Sequence, residues 1–233
     1  MINSKRVLII VPAWNEAAAV GDVVTEIRGE LPGVDVLVVD DGSADATSRV
    51  AAAAGARVAR LPYNLGVGGA LRTGYRYARD HGYDVAIQVD ADGQHDPRYI
   101  PKLVDALDEA DLVVGSRFAG VGDYRVSGPR KWAMKMLTVV LSRLARTRLT
   151  DTTSGFKACN REIIEFFAHW FPAEYLGDTI ESLVRIARRK YRVREVPVAM
   201  RPRMAGTPSH SPLKAGIYLF RAFVVLLLAL IRN

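Results

Sequence analysis

The chain has 233 residues, of which 49% are hydrophobic and 24% are charged. These values are typical of a folded globular protein and exclude an intrinsically disordered chain. A chain of this length can bury one sizeable core, so a single large α/β domain is expected. The one cysteine, Cys159, excludes an intrachain disulfide, and we expect it to be a buried structural thiol.

The charge is divided unevenly along the chain. Residues 1–116 hold 11 Lys and Arg against 17 Asp and Glu, a net charge of −6, whereas residues 117–233 hold 21 against 8, a net charge of +13. The first half therefore suits a metal ion and a nucleoside, and the second suits phosphates and an anionic surface. The alternative is a solvated cationic face. The basic segments lack the aromatic-interleaved pattern of RNA-binding motifs, so no nucleic-acid partner is expected.

Strand and helix patterns alternate through the first half. This alternation predicts a parallel sheet with helices packed on its faces. Continuous apolar runs rich in β-branched residues, such as Val7 to Val11, are typical of strands buried on both sides. The predicted strands are 7–11, 36–39, 57–61, 85–89 and 111–115, and the predicted helices are 17–31, 46–54, 68–81 and 97–109.

The pattern changes after Arg117. A glycine-containing loop, 120–129, precedes a helix at 131–149 that has cations on one side and an apolar stripe on the other. The remaining predicted elements are helices at 161–170 and 178–190, a strand at 193–200 and a loop rich in Pro, Ser and Gly at 201–212.

The C-terminal segment, 213–233, is strongly apolar. Its uninterrupted run, 222–231, is about half of the ~20 residues that a membrane-spanning helix needs. We therefore expect a helix that lies in the membrane interface, with Lys214, Arg221 and Arg232 at headgroup level. The alternative is a helix buried in the core or in a dimer, and a homo-oligomer is compatible with the sequence. The expected division is a catalytic domain at 1–212 and a membrane-associating helix at 213–233.

Two aspartates, Asp90 and Asp92, follow a buried strand pattern where a turn begins. Residues i and i+2 of an extended segment project to the same side. Two carboxylates on one side, at the carboxyl end of a strand, suit Mg²⁺ or Mn²⁺ carrying a substrate diphosphate. The alternative for this pair alone is ordinary turn chemistry.

Seven segments occur in an order that resembles the inverting glycosyltransferases of family 2. They are Val11-Pro12-Ala13-Trp14-Asn15-Glu16, Val38-Val39-Asp40-Asp41-Gly42-Ser43-Ala44-Asp45, Asn64-Leu65-Gly66-Val67-Gly68-Gly69-Ala70, Asp90-Ala91-Asp92-Gly93-Gln94-His95-Asp96-Pro97, Gly115-Ser116-Arg117-Phe118, Asp151-Thr152-Thr153-Ser154-Gly155-Phe156 and Glu195-Val196-Pro197-Val198. The likeness is to the polyprenyl-phosphate branch, which includes enzymes similar to dolichol-phosphate mannose synthase. The resemblance implies a GT-A fold, a Rossmann-like and mostly parallel sheet with helices on both faces.

The resemblance also implies a nucleotide site in the first half. Its expected residues are Pro12, Asn15, Glu16, Asp41, Gly68, Asp90 and Ala91. Asp41 is expected to accept an N–H from the base, whereas Asp40 supports the turn or helps to position the nucleotide. An alternative role for Asn15 is to cap the following helix. The glycine-rich segment 64–74 is not a dinucleotide fingerprint, because Leu71 stands at the position of the third glycine.

The metal and phosphate sites are implied in the same way. Asp90, Asp92 and Gln94 are the expected ligands of Mg²⁺ or Mn²⁺, and Asp92 and Arg117 are expected to be catalytic. His95 is expected to be a supporting neighbour. The expected phosphate-binding cations are Arg117, Arg130 and Arg203. The chain departs from the branch pattern Arg-x-x-Gly-x-Ser after Arg203, because it has an extra residue, Pro208.

Glu181 and Asp178 lie three residues apart, hence on one face of a predicted helix. The resemblance implies that a carboxylate here is the catalytic base when the acceptor is a hydroxyl. A lipid phosphate needs no strong base, and Glu181 then only orders cationic partners.

The expected activity is inverting transfer of a sugar from a nucleotide sugar of the GDP-mannose or UDP-glucose type to a polyprenyl or dolichyl phosphate. The expected location is the cytoplasmic face of a membrane, at the lipid surface. Two alternatives remain: transfer to a saccharide or small-molecule hydroxyl, with Glu181 or Asp178 as base, and an inert membrane-surface binding module.

Overall fold

The computed structural model describes residues 1–118, 129–172 and 177–202. The expectations for the helix at 213–233 and for Arg203 lie outside these residues. Arg130 and Asp178 lie in helices whose backbone is described, but their side chains are outside the description. Within the described part of the chain, no helix is long and apolar enough to cross a membrane.

In the described residues, seven strands form one mixed sheet in the order β3-β2-β1-β4-β6-β5-β7. The strands are β1 Val7–Ala13, β2 Asp35–Asp40, β3 Arg57–Arg60, β4 Val85–Gln88, β5 Leu112–Ser116, β6 Lys157–Asn160 and β7 Val193–Pro197. Strands β1 to β4 pair in parallel, as do β5 and β7, whereas β6 is antiparallel to both of its neighbours, β4 and β5. The prediction of a mostly parallel sheet is confirmed.

Helices cover both faces of the sheet. They are α1 Val20–Glu30, α2 Thr47–Ala53, α3 Val67–Asp80, α4 Ile100–Ala106, α5 Pro129–Ala145, α6 Arg161–His169 and α7 Gly177–Arg188, with a 3₁₀ turn at Pro97–Tyr99 before α4. Helices α1, α2 and α4 contribute to the apolar core on one face, and α3, α5, α6 and α7 contribute to the core on the other. The central strands are buried on both sides, which explains their continuous apolar runs.

Strand β6 was not expected from the sequence. Its four residues show neither apolar alternation nor a β-branched run, so they have no strand pattern of their own. They become a strand because backbone groups of β4 and β5 lie on either side of them. Cys159 lies on β6 and is fully buried, as predicted; burial raises the pKa of its thiol to about 12.

Several predicted helix boundaries were wrong. The helix predicted at 131–149 is α5, Pro129–Ala145, and ends four residues earlier than expected. Helix α1 begins at Val20 and not at residue 17, since residues 15–17 donate their backbone N–H groups to side chains of the loop that follows β2 and of the first residue of α2. The predicted helix 97–109 is instead the 3₁₀ turn followed by the short helix α4.

The carboxyl ends of β1, β2, β4 and β5 lie at one edge of the sheet. Strand β6 enters at the same edge because it runs in the opposite direction. The chain order of the strands changes direction between β1 and β4, and ligands of open α/β sheets bind outside the carboxyl ends of strands at such a switch point. This edge, which we call the carboxyl edge, is therefore the expected place for a site.

Candidate active site

The loops after β1 and β2 are tied together by side-chain hydrogen bonds. Asn15 has a left-handed backbone, with φ of 55°, and its Oδ1 accepts the N–H of Ala44 at 2.9 Å. Its own N–H donates to Ser43 Oγ at 2.9 Å, and the N–H of Glu16 donates to Thr47 Oγ1 at 2.9 Å. The alternative that Asn15 caps α1 is wrong, because the residue before that helix is Ala19 and no side chain caps it. Asn15 instead joins the two loops.

Adjacent aspartates at the end of β2 have different surroundings. Asp40 is buried and accepts the N–H of Ser43 at 2.9 Å and the hydroxyl of Ser48. Burial by itself would raise the pKa of Asp40, but these hydrogen bonds outweigh it and the pKa lies below its usual value. Asp40 therefore supports the turn, as one of its two expected roles requires.

Asp41 is also buried, and burial raises its pKa above the usual value. Its Oδ1 accepts the N–H of Leu65 at 2.7 Å, which links the end of β2 to the glycine-rich loop before α3. Gly42 follows with φ of 70°, and a Cβ there would lie 2.7 Å from the carbonyl carbon of Tyr63. Only glycine fits at this crossing of two loops.

The other residues expected at the nucleotide lie along the same edge. Pro12 is the penultimate residue of β1, Gly68 is buried in the first turn of α3, and Ala91 is buried after β4. The sheet brings these elements together because β2, β1 and β4 are neighbours.

The turn after β4 holds the first expected metal ligand, Asp90, beside His95. The backbone N–H of Asp90 donates to His95 Nδ1 at 3.0 Å. The other ring nitrogen, Nε2, lies 3.6 Å from Asp90 Oδ2. The buried ring stacks on Phe156, with centroids 4.8 Å apart and an interplanar angle of 11°. His95 thus orients Asp90, in agreement with the expected supporting role.

The other expected ligands lie in the same turn. Asp92 Oδ1 accepts the N–H of Gln94 at 3.0 Å, and Gln94 Nε2 donates to the carbonyl of Arg201 at 3.3 Å. Because the amide nitrogen is the donor, Gln94 Oε1 is the atom suited to a cation. No group of three or more His, Cys, Asp and Glu side chains suited to a metal occurs in the described ranges 1–118, 129–172 and 177–202. Two carboxylates and an amide oxygen nevertheless fit Mg²⁺ or Mn²⁺, since Mg²⁺ in proteins commonly binds one or two carboxylates plus substrate phosphates and water.

Gly155 gives the Asp90 carboxylate its space. A Cβ at residue 155 would lie 2.9 Å from Asp90 Oδ2, 3.0 Å from Asp90 Oδ1 and 3.1 Å from Gln88 Nε2. Gln88 also donates to Asp90 Oδ1 at 3.3 Å. The loop before β6 therefore forms one wall of the proposed metal site.

Arg117, expected to bind phosphate, is clamped by Asp151. Its Nε donates to Asp151 Oδ2 at 2.6 Å and its Nη2 to Oδ1 at 2.9 Å, and Nη2 also donates to Thr153 Oγ1 at 2.8 Å. The Asp151 side chain is fully buried, so this bidentate pair fixes the plane of the guanidinium. A pre-oriented guanidinium at the carboxyl edge is suited to an anion.

Glu195 on β7 holds the loop that carries Asp151. Its carboxylate accepts the backbone N–H groups of Thr150 and Asp151 at 2.7 and 2.8 Å. Segments 151–156 and 195–198 are two of the seven that carry the resemblance in the sequence, and they are therefore in contact in the folded protein. The sequence identified both segments, but it did not pair Arg117 with Asp151 or Glu195 with the loop, because side-chain partners so far apart carry no spacing signal.

Glu181 lies on α7 with a cationic partner. Arg185 donates to Glu181 Oε1 from Nη2 at 3.1 Å and from Nε at 3.2 Å, and its guanidinium carbon lies 3.7 Å from the centre of the Trp170 ring. This geometry agrees with the alternative in which Glu181 orders a cation.

Comparison with known proteins identifies the family. Residues 8–167 match the family described as Glycosyl transferase family 2. The chain belongs to glycosyltransferase family 2. This family 2 chain is 34% identical over 223 residues to the undecaprenyl-phosphate mannosyltransferase of Micrococcus luteus, with 91% of this chain and 89% of the relative covered. It is 33% identical over 177 residues to the polyprenol monophosphomannose synthase of Mycolicibacterium smegmatis, with 70% and 64% covered.

Solved structures support the fold of this family 2 chain. Glucosyl-3-phosphoglycerate synthase from Mycobacterium tuberculosis, in complex with Mn²⁺, UDP and phosphoglyceric acid, aligns with a TM-score of 0.74 at 22% identity and covers 97% of this chain and 78% of its own. The GT-A fold predicted from the sequence is thereby confirmed.

Proposed function

We propose that this glycosyltransferase transfers a sugar from a nucleoside diphosphate sugar to a polyprenyl phosphate, with inversion at the anomeric carbon. The observation that carries the proposal is the turn with Asp90, Asp92 and Gln94, which follows β4 at the same sheet edge as Asp41. The named activities of the two bacterial relatives, both polyprenyl-phosphate transferases of mannose, support the acceptor class.

The donor occupies the carboxyl edge in this proposal. Asp41 accepts an N–H from the base, and Pro12, Asn15, Glu16 and Gly68 border the nucleoside. Gly155 leaves the room in which the Asp90 carboxylate turns toward the diphosphate. A divalent cation held by Asp90, Asp92 and Gln94 would neutralise charge that develops on the departing nucleoside diphosphate.

The acceptor phosphate approaches from the basic half of the chain. Arg117, fixed by Asp151, binds a phosphate oxygen, and Arg130 and Arg203 complete the cationic surroundings. A phosphate oxygen is already anionic near neutral pH, so its attack on the anomeric carbon requires orientation and not a strong base. The Glu181–Arg185 pair agrees with this, since it gives Glu181 a structural task.

Polyprenyl phosphates are membrane lipids, so the enzyme acts at a lipid surface. We place it on the cytoplasmic face, with the apolar segment 213–233 in the interface and a domain at 1–212 carrying the chemistry.

The first test is calorimetric titration of UDP-glucose and of GDP-mannose, each with Mn²⁺, with Mg²⁺ and with EDTA. We expect one donor to bind to the wild type in a metal-dependent manner. This metal-dependent binding should be lost in Asp92→Ala. The matched control is Asp108→Ala, which removes an exposed aspartate paired with Lys5 and should bind like the wild type. Absence of binding of any nucleotide sugar would contradict the transferase and favour an inert membrane-surface module.

A second candidate keeps the donor but uses a saccharide or small-molecule hydroxyl as acceptor. The placement of Glu181 and Asp178 on one helix favours it. Glu181→Gln distinguishes the two. Turnover with polyprenyl phosphate should partly survive in this variant, whereas a hydroxyl acceptor requires the base and turnover would be abolished.

A further inference from the structure

The segment after β7 lies against the turn at 90–96, which carries the expected metal ligands and which we call the metal turn. Met200 and His95 form an isolated antiparallel bridge. The N–H of Arg201 donates to the carbonyl of Gln94 at 3.0 Å, and the Gln94 side-chain amide donates back to the carbonyl of Arg201 at 3.3 Å. The backbone of Arg201 therefore contacts both the main chain and the side chain of an expected metal ligand.

The side chain of Arg201 extends the same contact to two acidic residues. Its Nη2 is 2.9 Å from Asp96 Oδ1 and its Nη1 donates to Glu26 Oε1 at 2.6 Å. Asp96 ends the metal turn and its side chain is only 4% exposed, whereas Glu26 lies on α1. One guanidinium thus joins the turn to a helix on the face of the sheet.

A lysine would not reproduce this arrangement. The two acidic partners are held by different nitrogens of one planar fork, and an ammonium group is a single point charge. Asp96 has a second cationic partner, Arg98, whose side chain is 64% exposed and donates hydrogen bonds to both carboxylate oxygens of Asp96. Arg98 therefore supplies a natural comparison: it binds the same carboxylate, but it makes no described hydrogen bond to Gln94 or Glu26, and its interaction with Glu30 on α1 is a longer-range electrostatic one.

We propose that Arg201 is a positioning residue for the metal-dependent nucleotide site. It holds the turn carrying Asp92 and Gln94 against α1, and it ties that turn to the segment from which Arg203 follows two residues later. The inference rests on the proposed function, because the role of the turn is to bind a cation with the donor diphosphate.

The test compares Arg201→Ala with Arg98→Ala in calorimetric titrations of the preferred nucleoside diphosphate at a series of fixed Mn²⁺ concentrations. Residues that orient metal ligands typically change metal affinity by about 10- to 100-fold when removed. We expect Arg201→Ala to need about tenfold more Mn²⁺ for half-maximal nucleotide binding, and Arg98→Ala to stay within about twofold of the wild type. Nucleotide binding in EDTA should be equal in all three proteins.

Two further variants separate positioning from loss of folding. Arg201→Lys keeps the positive charge but not the planar guanidinium. We expect its Mn²⁺ concentration for half-maximal nucleotide binding to lie between those of the wild type and Arg201→Ala. Glu26→Gln removes the negative charge of the partner on α1 and leaves Asp96 paired, so it weakens and tests the same link if Arg201→Ala does not fold. Thermal melting of each variant accompanies the titrations.

The outcomes distinguish this inference from the function on which it rests. If the wild type shows no metal-dependent nucleotide binding, the proposed function and the inference are both overturned. If the wild type binds but Arg201→Ala and Arg98→Ala have equal Mn²⁺ dependence, only the positioning role is overturned. The same holds if Arg201→Ala and Glu26→Gln lower the melting temperature without moving the Mn²⁺ dependence.

Discussion

Gly155 and Asp90 are close neighbours although they belong to different loops. The space between them is too small for a methyl group, since a Cβ at residue 155 would approach both carboxylate oxygens to 3.0 Å or less. The sequence placed Gly155 in a segment expected in the family and assigned Asp90 to the metal. Their contact required the structure, because it depends on β6 running antiparallel beside β4.

Gly155→Ala tests this contact. The added methyl group displaces the Asp90 carboxylate, and we expect metal-dependent nucleotide affinity to fall by about tenfold, within the range for displaced metal ligands. The measurement is calorimetric titration with Mn²⁺ and with EDTA.

The matched control is Gly29→Ala in α1, where an added Cβ meets nothing within 4 Å. It should leave binding unchanged and raise the free energy of unfolding by about 0.5 kcal/mol, because alanine is the better helix former. Equal binding by the two alanine variants would show that the Asp90 carboxylate can shift without loss of function.

At the level of elements, Asp111 joins the three strands of the second half. Its Oδ2 accepts the N–H of Arg192 before β7 at 2.7 Å, and its Oδ1 accepts the side-chain amide of Asn160 at the end of β6 at 3.0 Å. Asp111 itself leads into β5. The predicted strands 111–115 and 193–200 are confirmed as elements, but β6 was missed, because a strand of four residues with a Lys and an Asn at its ends depends on its neighbours and not on its own pattern.

Asp111→Asn should lower the free energy of unfolding by about 2 kcal/mol at neutral pH, because hydrogen bonds to a largely buried charged carboxylate are weakened. For a chain of this size this corresponds to a fall in melting temperature of about 5 °C. Thermal unfolding followed by circular dichroism measures it. Glu109→Gln is the control: its carboxylate is 72% exposed in its pair with Arg194, so melting should hardly change.

The same variant has a defined pH dependence. Burial would raise the pKa of Asp111, but hydrogen bonds from Arg192 and Asn160 outweigh burial, and the pKa in the folded protein lies below the value of 3.8 for an unperturbed aspartate. The carboxylate therefore stabilises the fold fully above that value, and this contribution is lost as pH falls through the lower, folded pKa. The difference in melting temperature between wild type and Asp111→Asn should shrink below about pH 4. A constant difference down to the acid-unfolding limit would contradict this assignment.

Across the whole molecule, the two oppositely charged halves of the chain correspond to two parts of the proposed site. The acidic half, with a net charge of −6, holds the residues proposed to bind the nucleotide and metal, and the basic half, with +13, holds the expected phosphate cations. Cations close to an anionic lipid surface contribute about 1 kcal/mol each to membrane binding. The membrane association of this chain remains a prediction.

Co-sedimentation of the full chain with vesicles tests it. We expect binding to vesicles rich in anionic lipid and much weaker binding to zwitterionic vesicles of the same size. Raising the ionic strength from about 0.01 M to about 1 M shortens the Debye length from about 30 Å to about 3 Å, so binding to anionic vesicles should fall strongly. Equal binding to both vesicle types at low salt would exclude an electrostatic attachment and leave only insertion of apolar residues.

The sequence by itself determined the fold class and the candidate residues that follow β1, β2 and β4. It did so because buried parallel strands have continuous apolar runs and because chemistry-bearing residues follow directly at the ends of those runs. The tertiary structure alone decided which side chains meet: Arg117 with Asp151, and Arg201 with Asp96 and Glu26. These partners lie in elements far apart in the chain, and their proximity follows from strand order and from the reversed direction of β6. Strand order and the direction of β6 leave no local pattern in the sequence, since they are set only when the sheet assembles.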